Sequence, residues 1–66
     1  MAHIPVAPVE RIIRDIDPDI RVSTSAAEVL RDVLEERALE VAKKAVQYAR
    51  HARRKTVKPE DIELAK

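Results

Sequence analysis

Residues 23–53 read STSAAEVLRDVLEERALEVAKKAVQYARHAR, and the reading of this stretch decides the fold. It holds no Pro and no Gly and is rich in Ala, Leu, Glu, Lys and Arg, all strong helix formers. Ser25 and Glu28 have the spacing of a capping box, and Ser23 is a competing N-cap. The stretch predicts one helix of roughly 30 residues, about 45 Å long at the usual helical rise. Most helices stop after about three turns. A helix this long in so short a chain needs cover.

Its apolar positions describe that cover. Leu30, Leu34, Val41, Ala45, Tyr48 and Ala52 recur at helical spacing, and Val29, Val33, Ala38, Ala42, Val46 and Ala49 run beside them. Together they form a stripe wider than the core face of a surface helix. The short flanking segments can hide only part of it. The sequence therefore calls for an obligate partner, most simply a second copy packed across the middle of the helix. A long coiled coil fits less well, because the repeat drifts from strict heptads and the flanks carry apolar periodicity of their own.

Size points the same way. The chain has 66 residues, enough for one domain spanning 1–66, with residues 1–4 expected as a loose arm. A chain this small buries only about 60% of its unfolded surface and gains much from association. There is no Cys, so no disulfide or thiolate metal site can staple it, and two His alone argue against structural zinc. No metal and no cofactor are expected. No apolar run approaches the roughly 18 residues that span a bilayer. The opening MAHIPVAP lacks the basic and apolar regions of a signal peptide. An intracellular protein without a membrane partner is expected.

Net charge is +1, from 13 basic and 12 acidic residues, and by itself it implicates no partner. Its distribution does. Between positions 43 and 58 lie seven bases (Lys43, Lys44, Arg50, Arg53, Arg54, Lys55 and Lys58) and no acid. Between Glu28 and Glu40 there are five acids and two bases. Such segregation fits an end that faces a polyanion. Cations that merely complement the helix macrodipole would look similar.

The flanks repeat the helical theme. Val6, Val9, Ile13 and Ile16 are three or four apart, predicting a short amphipathic helix near 7–16, framed by Pro5 and Pro8, with Arg11 and Arg14 on its other face. Asp17, Pro18 and Asp19 are turn residues. Ile20, Arg21 and Val22 read as a brief extended segment. After the long helix, residues 53–57 form a second loop whose Thr56 and Val57 favour extended backbone. Pro59 suits a first helical position, with Glu60 and Asp61 in a first turn where the dipole favours acids. Ile62, Leu64 and Ala65 give this last helix its apolar side. The order is short helix, loop, long helix, loop, short helix, an all-α chain.

Three stretches of this pattern, PVAPVERIIRD (5–15), RVS (21–23) and ARHARRKTVKPEDIELA (49–65), resemble the histone fold, and specifically archaeal histones. The similarity covers nearly the whole chain, and RKTV followed by EDI is its most specific part. The resemblance implies an intertwined head-to-tail homodimer, with Leu30, Val33, Leu34, Val41 and Ala45 in the dimer core. Each first loop would lie beside the partner's second loop, where short strands pair. It implies double-stranded DNA as partner, bound with little sequence preference and wrapped or compacted. Histone octamers are the type case of such binding by backbone contact and deformability.

Carried onto this chain, Arg11 and Arg14 match phosphate contacts, and Arg21 matches an arginine entering the minor groove. Lys55 and Thr56 match second-loop contacts. Where the family often has Gly at the end of the long helix, Arg53 forgoes the easy left-handed cap but adds a phosphate-facing base. Arg54 and Asp61 match an internal ion pair locking the second loop. Tyr48, His51, Asp61 and Leu64 match a dimer–dimer contact that builds tetramers or larger assemblies. The first loop, IDPDI, is bulkier and more acidic than the small-residue loops common in the family, which argues against long stacked rods.

The implied role is that of an architectural chromatin protein, cytoplasmic and chromosome-associated, with a second copy or a histone paralogue as its protein partner. The alternative is a histone-fold heterodimerisation module of a transcription or repair complex. No arrangement of Ser, His and Asp or of Cys and His suggests an enzyme. His3 receives no role.

Overall fold

A computed structural model of the chain describes residues 4–66 and has three helices: α1 (Val6–Ile16), α2 (Thr24–His51) and α3 (Pro59–Ala65). His3 and the first two residues of the expected arm lie outside the described residues. The architecture is the expected all-α one. Two compact units divide it, Met1–Glu35 and Glu36–Lys66, with α2 running through both.

In the first unit, α1 begins at Val6, and Pro5 before it is the N-cap, with extended backbone (φ −60°, ψ 148°). Pro8 falls in the first turn, where a missing N–H costs no helical hydrogen bond. Among the described residues Val9 is the one large side chain that is fully buried, and Ala27 on α2 is buried too. Val6 and Ile13 on the same face are half-buried. Ile16, expected on that face, is instead 85% exposed, because it is the last residue of α1 and nothing in its own unit reaches it. The backbone N–H of Ile4 donates to the Glu35 carboxylate at 2.6 Å, which ties the start of the described chain to the middle of α2.

The link from α1 to α2 is turn chemistry as read. Asp19 N–H donates to Asp17 Oδ1 at 3.1 Å and Ile20 N–H to the Asp17 carbonyl at 3.2 Å, so Asp17 closes the turn around Pro18. The competition for the start of α2 is settled in favour of Ser23: its Oγ accepts the Ala26 N–H at 3.0 Å and its carbonyl accepts the Ala27 N–H at 3.1 Å. The capping box read at Ser25 therefore lies inside the helix.

In the second unit the buried residues are Ala45 and Ala49 of α2 and Asp61 and Ala65 of α3. Three alanines and one carboxylate make a thin core, and α3 is only seven residues long. Such a helix is far below the length at which isolated helices persist. Its stability must come from tertiary bonds. No strand is present among the described residues. Residues 20–22 and Val57, expected as extended pieces, carry no ladder, and Thr56 lies in a bend.

Both units leave large apolar side chains open. In the first, Ile12, Ile16, Ile20, Val29 and Val33 are exposed; in the second, Leu39, Val46, Tyr48, Val57, Ile62 and Leu64 are. Single exposed apolar residues need no explanation, but runs of this length on units with so little core mark surfaces for association.

Candidate nucleic-acid interface

The second loop is the most heavily bonded part of the molecule outside the helices. It starts where α2 ends. Arg54 N–H donates to the Ala49 carbonyl at 2.9 Å, and Arg53 N–H to the Arg50 carbonyl at 2.9 Å. These are the two bonds of a Schellman cap, with Arg53 at its left-handed position, φ 59°. Glycine normally stands there, because left-handed backbone costs a residue with a Cβ about 1–2 kcal/mol. The chain has no Gly anywhere, so the cap falls on an arginine. The expectation that Arg53 forgoes this cap is thus corrected: the cap forms, with the arginine in the strained conformation.

The cap delivers Arg54 to the start of α3. Its guanidinium forks onto Asp61, Nη1 to Oδ2 and Nη2 to Oδ1, both at 2.9 Å, and Nη1 also donates to the Thr56 carbonyl at 2.9 Å. Asp61 Oδ2 further accepts the Lys58 N–H at 2.9 Å. Asp61 therefore caps α3 from its third position, the reciprocal half of a capping box. Lysine has no acceptor, so the other half is absent, and Asp61 N–H bonds to the Lys58 carbonyl at 2.9 Å instead.

Asp61 is only 2% exposed, and bidentate charge-assisted bonds of this kind are the strong ones. The hydrogen bond from Arg54, then that from the Lys58 backbone, holds its carboxyl at about 2, below the ordinary 3.8. The hydrogen bond to Asp61 in turn raises the Arg54 pKa. The residues that sequence reading paired are thus brought together. The bonds to the Thr56 carbonyl and from the Lys58 N–H have no signature in the sequence, because a lysine at the N-cap hides the capping pattern.

This lock leaves Lys55 and Thr56 exposed on a loop fastened at both sides. Arg53 and Lys55 have no ion pair among the described residues, and the same holds for Arg21 in the first loop and Arg11 on α1. Arg14 is exposed, but Glu10 stands 3.9 Å from its guanidinium. Other bases are matched locally: Arg31 with Asp32 at 3.4 Å, Arg37 with Glu40 at 3.2 Å and Lys66 with Glu63 at 2.8 Å.

Tyr48, His51 and Leu64 are exposed, Leu64 at 70%, whereas Asp61 of the same quartet is committed to Arg54 and Lys58. Of the residues read as dimer core, Ala45 is buried in its own unit. Leu30, Leu34 and Val41 are half-buried, and Val33 is 54% exposed.

Comparison with known proteins gives this geometry a family. The sequence model described as "Histone-like transcription factor (CBF/NF-Y) and archaeal histone" matches residues 2–65. One chain of the archaeal histone HAN1 of Thermococcus zilligii is 55% identical over 65 residues, covering 98% of this chain and 96% of that protein. The probable archaeal histone 3 of Methanocaldococcus jannaschii is 49% identical over the same length, with the same coverage. With three helices in the right order, a locked second loop and a family match over almost every residue, the chain belongs to the histone-fold family of archaeal histones and histone-like transcription factors.

Proposed function

We propose that the protein is an architectural chromatin protein that binds duplex DNA as a homodimer, largely without sequence preference, and wraps or compacts it. The observation that carries this reading is how the cations are sorted. Arg31 and Arg37 within α2 and Lys66 just past α3 have acidic neighbours, and Arg54 in the second loop is paired with Asp61. Arg11 on α1, and Arg21 and Lys55 in the loops, have none among the described residues, and neither do Lys43, Lys44 and Arg50 toward the end of α2. Unpaired cations on a fastened loop are what phosphate neutralisation and counterion release require. Arg14 joins them as the weaker contact, since it must leave Glu10. Thr56 adds a hydroxyl donor, and Arg21 is the side chain for the minor groove, where width and not base identity is sensed.

The dimer follows from the exposed apolar residues of both units, which a second copy would cover. Tyr48, His51 and Leu64 then remain as the surface on which dimers build tetramers or larger assemblies. The place of such a protein is on the chromosome, and no catalytic step is part of the reading. No helix among the described residues is long and apolar enough to cross a membrane.

The second reading is a heterodimerisation module, and the family description, which includes histone-like transcription factors, favours it. Reconstitution on DNA followed by nuclease digestion tests the first. Protected fragments of discrete length are expected. A smear, at protein concentrations where the dimer exists, would refute wrapping. A chain that stays monomeric alone and dimerises only with an unlike partner would establish the second reading.

A further inference from the structure

Arg53 carries a feature that the fold does not require. The Schellman cap needs a left-handed residue at this place, and glycine or asparagine would fill it with less strain. The chain holds an arginine there, fully committed to φ 59°. Its neighbours add a second observation. Arg50, Arg53, Arg54 and Lys55 line one cleft around Val46 and Val57. Asp61 neutralises Arg54, but Arg50, Arg53 and Lys55 have no acid partner among the described residues. The macrodipole at the end of α2 accounts for cations near its last turn. It does not account for one placed on strained backbone past the helix end. Backbone strain of this sort gathers where function holds a side chain in place.

We infer that Arg53 is a phosphate anchor, joined with Arg50 and Lys55 at one rim, on which a single DNA backbone phosphate sits. An anion there would meet three cations that share one cleft and that no acid neutralises among the described residues, and the left-handed cap fixes the backbone from which the Arg53 side chain extends. The inference rests on the DNA-binding reading and sharpens it: the anchor exists only because arginine stands where glycine would stabilise the loop.

The test uses the full chain and a duplex of mixed sequence, with affinity measured across a salt series. Each phosphate contact contributes about 0.9 to the slope of log K against log salt. Arg53→Gly removes two contacts per dimer, so the slope should fall by about 1.8 by the same relation. Affinity near 0.1 M salt should fall roughly 10- to 60-fold. The melting temperature of Arg53→Gly should rise. Arg53→Lys keeps the charge and the strained cap, so it should keep the wild-type slope.

Two results would overturn the anchor: a wild-type slope in Arg53→Gly, or a slope in Arg53→Lys as low as that of the glycine variant. Lys55→Ala separates the levels. If it lowers the slope while Arg53→Gly does not, only the anchor fails. If the wild-type protein shows no salt-dependent binding at all, the DNA reading fails with it.

Discussion

Val33→Ala tests the claim that a second copy completes this fold. Val33 lies mid-helix on α2 and is 54% exposed in the lone chain. Valine exceeds alanine by two methyl-sized groups, each worth about 0.8 kcal/mol when fully buried. Slightly more than half of that remains for a partner to bury, about 0.9 kcal/mol per copy by the same coefficient. Two copies per dimer lose about 1.7 kcal/mol, which weakens dimerisation roughly 20-fold. Alanine is the better helix former, so any loss cannot be ascribed to a weaker α2. Sedimentation equilibrium gives the dissociation constant directly. Melting curves at several protein concentrations give it indirectly, since a dimer that folds as it forms melts at a concentration-dependent temperature. A Val33→Ala dimer as tight as wild type would refute the placement of Val33. A well-folded wild-type monomer at micromolar concentration would refute the dimer itself.

The Arg54–Asp61 lock makes stability pH-dependent in acid. Asp61 has a depressed pKa, so its contribution is complete above the ordinary value of 3.8 and is lost as pH falls through about 2. The melting-temperature gap between wild type and Asp61→Asn should be constant from neutral pH to about 4 and close below that; a gap that grows on acidification would contradict the assignment. Ser23→Ala removes the side-chain cap of α2 and should cost about 1 kcal/mol in denaturant unfolding. In DNA titrations across salt, Arg21→Ala should lower the slope by about 1.8 per dimer, and Arg14→Ala by less, because Glu10 already competes for it. Equal slopes in the two variants would show that the Glu10 pair is irrelevant.

The helices are legible in the sequence because propensity, apolar spacing and proline position agree along each of them. The long helix ends about two residues before its sequence pattern does. Its closing signal is normally a glycine, and here an arginine takes the left-handed place. The start is ambiguous between Ser23 and Ser25, since both have the right chemistry, and only the backbone decides which hydroxyl faces an orphan N–H. Ile16 obeys the helical spacing of its neighbours yet is exposed. Periodicity reports which face a residue lies on and not whether anything reaches it. The pairing of Arg54 with Asp61 is legible through family resemblance alone. Their seven-residue separation across a chain reversal has no local signature, and the reach of Arg54 to the Thr56 carbonyl has none either. The strands expected in the loops are absent among the described residues, because β-branched composition favours extended backbone but does not supply the second strand that a ladder needs.

The carboxylate of Asp61 closes two things at once. It is the N-terminal stop of α3, and through Arg54 it is also the clasp on the carbonyl of Thr56. Unwinding of the seven-residue end helix and slackening of the loop beside Lys55 are therefore a single event. If the loop beside Lys55 grips DNA as proposed, loosening of α3 would be felt at that grip, and a partner docked against α3 would steady it.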